Sequence, residues 1–189
     1  NPYRDDTHIM LGNLYFSEKR YRDAENEYKQ AIRLNPTENN YYSLGQAYLE
    51  LGQYNAAKNQ FNTVKHLAPE SPNGNFGLGL VCSRQGDFEE AIRQFKKAIG
   101  IENELYDAYA EMGYAYADLG QMDKAQEQVD SLKQERPGLA EMLSLYMNKV
   151  DSPKFIFAYS TDFMYMKSVK TKVSALDSYL ANANTSKTF

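Results

Sequence analysis

The chain has 189 residues, 42% of them hydrophobic and 24% charged, and a net charge of −4. This is the composition of an ordinary soluble protein with room for a sizeable core, and it lacks the basic balance of a nucleic-acid binder. The single cysteine, Cys82, excludes an internal disulfide and a zinc cluster. No apolar run approaches the roughly 18 residues needed to span a bilayer, no signal peptide is read at the N-terminus, and the compartment is left open.

The first predicted pair of helices falls within residues 5–37. His8, Leu11, Gly12 and Tyr15 recur on one helical face, and Tyr21, Ala24, Tyr28, Ala31 and Ile32 do the same for a second helix. Lys19 stands between them, at a position that calls for a left-handed residue; if it adopts positive φ, the cost is about 1 kcal/mol. Pro36 closes the unit.

The same text is then written three more times, over 38–71, 72–105 and 106–139. Gly12, Gly45, Gly79 and Gly113 are spaced by 33, 34 and 34 residues, as are Ala24, Ala57, Ala91 and Ala125. Four residues after each alanine comes Tyr28, Phe61, Phe95 or Val129, and three further on Ala31, Val64, Ala98 or Leu132. Gly52, Gly86 and Gly120 occupy the turn where the first unit has Lys19, as suits a helix C′ position. Pro69 and Pro137 close two of these units, with Asn103 in the third. A repeat at one fixed period points to stacked supersecondary units, none of which can bury its apolar face alone.

After Pro137, Leu139, Met142, Leu143, Tyr146 and Val150 share one face, which predicts a capping helix over 138–150. Asp151, Ser152 and Pro153 break it. Residues 151–189 are not repeat text: Phe155, Phe157 and Tyr159 alternate with Ile156 and Ala158 as in short strands or an extended strap, and Ser174 can cap a short helix. This tail holds five Lys and three Asp, a net +2. Three readings of it stay open: the start of a truncated β-rich domain, a strap on the chain's own repeats, or an arm reaching into a neighbouring molecule.

Period 34, a helical hairpin, and a Leu/Met-Gly pair followed by Tyr, Ala, Phe/Tyr, Ala and Pro resemble the tetratricopeptide repeat (TPR) family. Cys82 departs from it by replacing the usual Tyr of its unit, and His8, Tyr41, Asn75 and Tyr109 stand where the family often has Trp. The resemblance covers residues 1–150. It implies an all-α fold: a right-handed superhelix of four TPR helix-turn-helix repeats plus the capping helix, followed by the non-repeat, strand- or strap-like tail. It also implies a concave groove lined by the first helices, where the family holds a partner peptide or segment.

Transferred residue by residue, the inward positions are Asp6, Ile9, Asn13 and Phe16 of the first unit, and Asn39, Tyr42, Gln46, Leu49 and Glu50 of the second. Asn73, Phe76, Leu80 and Arg84 follow in the third, and Asp107, Ala110, Tyr114 and Asp118 in the fourth. The partner-binding set comprises Ile9, Asn13, Phe16, Asn39, Tyr42, Gln46, Leu49, Asn73, Phe76, Leu80, Arg84, Tyr114 and Asp118. It mixes anchors of the kind that dominate binding hot spots with amides able to bond an extended backbone. The family's dicarboxylate clamp uses Lys, Asn, Asn, Lys and Arg where this chain has Ile9, Asn13, Gln46, Phe76 and Leu80. An apolar or internal segment is therefore the expected ligand.

The sequence carries no catalytic constellation, phosphate loop, metal cluster or cofactor motif. Cys82 reads as a small core residue, His8 as a packing residue, and His66 as a late-helix residue near the negative end of the dipole. Asp107, Glu111 and Asp118 read as a solvated acidic face. The expected function is a noncatalytic protein-interaction scaffold, with another protein or peptide as partner and neither nucleic acid nor membrane insertion. The alternative is a self-assembly module forming homo-oligomers through the tail or end repeats, and a more distant third reading is the repeat region of a longer enzyme.

Overall fold

The glycine, alanine and aromatic columns act together on two facing helices: the small residues let the backbones approach and the ring fills the gap between them. The computed structural model describes residues 3–151, and the expectations for the tail, strands, strap or terminal helix, lie outside the described residues. Among these there are nine helices and no strand. They are α1 (Tyr3–Ser17), α2 (Tyr21–Leu34), α3 (Glu38–Glu50), α4 (Tyr54–Leu67), α5 (Asn73–Gln85), α6 (Phe88–Ile101), α7 (Tyr106–Asp118), α8 (Met122–Leu132) and α9 (Pro137–Val150).

Each odd helix pairs with the even one after it, and each even helix packs on the next odd one. Helices α3, α5 and α7 also touch in sequence, forming one side of the stack. Helix α9 packs on both α7 and α8, the place a further unit's first helix would take.

The repeated columns are the core. Ala24, Ala57, Ala91 and Ala125 are completely buried, as are Ala31, Val64, Ala98 and Leu132 in the later column. Phe61 and Phe95 are likewise inaccessible, and Tyr28 and Val129 nearly so. A Cβ built on Gly45 would lie 2.6 Å from Phe61 Cε1, and one on Gly77 would also strike that ring. Phe61 is thus held between its own unit and the next, which is what a stacking joint requires.

The fourth unit solves the same problem differently. Val129 is too small to fill the space beside Gly113, and there a Cβ would instead meet Leu143 of α9. The capping helix supplies the missing bulk. Pro137 does not end a helix here, since α8 has already stopped at Leu132; it is the first residue of α9, where its fixed φ is preorganised and its missing N–H costs nothing.

Gly52, Gly86 and Gly120 have φ of 72°, 82° and 71°, and Lys19 shares this conformation at 61°. A left-handed backbone costs a residue with a Cβ roughly 1–2 kcal/mol. Lys19→Gly is therefore expected to stabilise the chain by about 1 kcal/mol, measured as a raised urea midpoint at unchanged slope. A lowered midpoint would show that the side chain offsets its own strain.

Two helix starts carry side-chain caps: Thr37 Oγ1 accepts from Asn40 N–H and Asp87 Oδ1 from Glu90 N–H. Asn75, in the first turn of α5, is buried, and its Oδ1 has no hydrogen-bond partner among the described residues.

Candidate functional site

The odd-numbered helices bring side chains from α1, α3, α5 and α7 around one cavity of about 320 Å³, with α9 closing its end. Of the residues expected in a groove, Phe16, Gln46, Leu49, Phe76, Leu80, Arg84 and Tyr114 line it together. Glu50, Asp107 and Ala110, from the same inward positions, line it too. Phe76 and Leu80 are half-buried and form an apolar floor from α5. The ring of Phe76 lies tilted against Phe95 with centroids 5.8 Å apart, so core packing holds it in place.

The other six go elsewhere. Ile9 packs against the core shared by the first three units. Asn13 Oδ1 accepts from the Tyr28 hydroxyl at 2.9 Å. Asn39 is exposed in the first turn of α3. Asn73 Nδ2 donates to Glu38 Oε1 at 2.9 Å, and Ser71 Oγ donates to the same oxygen, so Glu38 ties one unit to the start of the next. The Tyr42 ring rests on Phe61, centroids 5.5 Å apart. Asp118 accepts from the Tyr146 hydroxyl, tying α7 to α9.

The electrostatics of the cavity are uneven. Arg84 Nη2 donates to Glu50 Oε1 at 3.1 Å, both side chains largely buried, so the guanidinium bridges α5 and α3. Asp107 and Glu111 sit on α7. The reading of Glu111 as part of a solvated acidic face is corrected: it is only 8% exposed, in the wall of the groove. Burial first, and then the negative field of Asp107 and Glu111, pushes the Tyr42 phenol up to about 12. Burial likewise raises the hydroxyls of Tyr114 and Tyr146, whose rings meet edge to face at 5.1 Å. All three phenols remain neutral near pH 7.

Three lining residues were not expected in the groove: Glu111, Leu139 and Met142. The signal for the last two was the amphipathic stripe of α9, which reads equally as a cap. Elsewhere, Cys82 is half-buried and its thiol is pushed up, mainly by burial and further by Asp87 and Glu90, which disfavours the nucleophilic thiolate. His8 is more than a packing residue, since its Nδ1 lies 2.6 Å from Glu27 Oε2. Among the described residues no cluster of His, Cys, Asp or Glu is arranged to hold a metal, and no helix is long and apolar enough to cross a membrane.

Three family models, each for the tetratricopeptide repeat, match residues 12–52, 42–110 and 84–146. A tetratricopeptide repeat and J domain-containing co-chaperone of Cryptococcus neoformans is 29% identical over 97 residues, covering 51% of this chain and 19% of that protein. The small glutamine-rich tetratricopeptide repeat-containing protein 2 of Saccharomyces cerevisiae is 32% identical over 96 residues, covering 50% and 28%. The chain thus spans less than a third of either relative's length. Among solved structures, a thermophilic TPR protein of Thermus thermophilus aligns with a TM-score of 0.69 at 24% identity, over 93% of this chain and 99% of that one. YrrB, described as a TPR protein with an unusual peptide-binding site, aligns at 0.60 and 24% identity, over 77% and 74%. At such identity these structures speak for the fold alone.

Proposed function

The chain belongs to the tetratricopeptide repeat family, and from that premise we propose that it is a noncatalytic scaffold whose groove holds an extended, apolar-anchored segment of a partner protein. One observation carries the reading: side chains from four consecutive first helices and from α9 converge on one cavity with an apolar floor and polar flanks. Leu80 and Phe76 would take an apolar side chain of the ligand, and Gln46 could bond its backbone. The peptide-binding site attributed to YrrB supports this use of the fold.

The ligand's C-terminal carboxylate is not the anchor. Of the five clamp positions only Asn13 keeps the required type, and its carbonyl oxygen is engaged by Tyr28. Arg84 is held by Glu50, and the remaining groove charges are acidic.

Peptides selected from a random library on this chain are expected to carry aromatic or aliphatic anchors. Leu80→Asp should weaken them about tenfold or more, the scale of losing a central apolar contact. Fluorescence anisotropy, after circular dichroism shows the variant folded, reads the effect. Selected peptides that bind the variant equally well would overturn the groove assignment.

Self-assembly is favoured by a separate observation. Met10 and Leu14, one helical turn apart on α1 of the first unit, are 63% and 52% exposed. Mass that rises with concentration and returns to the monomer value in Met10→Glu/Leu14→Glu would support that reading in place of the first.

A further inference from the structure

We propose that the chain's own segment 154–172 docks in this groove, so that a partner must displace it. The proposal rests on the receptor reading and names a built-in competitor for the same site.

Chemistry favours the match. The segment reads KFIFAYSTDFMYMKSVKTK, with five aromatic rings and four lysines against one aspartate. The groove offers the apolar surfaces of Phe76, Leu80 and Met142. It also sets three carboxylates, from Glu50, Asp107 and Glu111, against the single guanidinium of Arg84, which Glu50 already engages. An aromatic, cationic strand is the kind of ligand this lining attracts, and an acidic one would be repelled.

Reach is also sufficient. Helix α9 lines the groove at Met142 and continues to Val150, a further rise of about 12 Å at 1.5 Å per residue. Residues 151–154, extended, cover about 13 Å, enough to bring Phe155 back level with Met142. The rest of the segment can extend for about 60 Å, whereas five helices spaced about 10 Å apart span about 40 Å.

Tethering makes weak docking effective. A short tether gives an effective concentration on the order of 1 mM. A segment with an intrinsic Kd of about 100 µM would then fill the groove about 90% of the time and weaken an outside ligand about tenfold.

The test compares the intact chain with one carrying Phe155→Ser, Phe157→Ser, Phe163→Ser and Tyr165→Ser, all outside the repeats. A fluorescein-labelled synthetic peptide of residues 154–172 is the probe, read by anisotropy. The substituted chain is expected to bind it about tenfold more tightly than the intact chain. Adding Leu80→Asp to the substituted chain should remove that binding, and Asp107→Lys, at an exposed position that carries little folding risk, should weaken it several-fold. Equal binding by both chains, or binding indifferent to both groove substitutions, overturns the proposal. A mass that doubles with concentration only while the four rings are present also overturns it, because the occupant would then be a second copy's segment. Library peptides that need Leu80 but bind both chains equally would leave the receptor reading standing and this proposal fallen. Probe binding that needs Leu80, with no library peptide that does, would leave the docked segment standing and the receptor reading fallen.

Discussion

Phe61→Ala is expected to cost about 3–5 kcal/mol, the usual range for removing a fully buried ring. The ring has no accessible surface, sits against Gly45 and Gly77 on two different helices, and supports Tyr42 from below. Neither glycine can grow to fill the void, so collapse would require α3 and α5 to shift. A domain of this size has a total stability on the order of 10 kcal/mol, so one substitution removes a large share. In a linear stack, stability is nearly a sum of unit and neighbour-interface terms. Hydrogen exchange should therefore accelerate most in α3, α4 and α5 and least in α8 and α9. Uniform acceleration across all the helices would show that the stack unfolds as one body.

Leu143→Ala is expected to cost about 2–5 kcal/mol and to act at the other end. Leu143 is completely buried and stands against Gly113, in the role that a ring plays in the three preceding units. Its removal should loosen α9, with faster exchange in α7 to α9 and little change in α1 to α4. The bond from the Tyr146 hydroxyl to Asp118 would remain as a polar tie between α9 and α7. Because Leu139 and Met142 reach the groove from the same helix, the variant should also weaken groove ligands. A stability loss spread evenly through the chain, or none, would contradict the assignment of α9 as the joint-filling cap.

The residues that diverged from expectation share a pattern. Asn13, Asn73 and Asp118 stand at inward positions of a repeat, and each is drawn aside by a particular partner: Tyr28, Glu38 and Tyr146 respectively. Those partners lie 15 to 35 residues away. A helical residue one position along turns about 100°, so a small rotation of one unit decides whether a side chain faces the cavity or the adjoining helix. Glu111 illustrates this: its spacing from Asp107 suggested a wet face, but stacking turned it into the wall.

The order of residues along the chain was enough to set the period, the helix pairs, the turn glycines and the buried columns. Each is a local demand repeated at fixed spacing: a backbone close enough for a ring to span, a left-handed turn, an apolar stripe at 3.6 residues per turn. Stacking alone decided which inward side chains share a cavity, that Arg84 is spent on Glu50, and that Leu143 from outside the repeats fills the last joint. Those outcomes depend on how one rigid helix pair rotates against the next, and that angle is a property of packed surfaces rather than of any single segment.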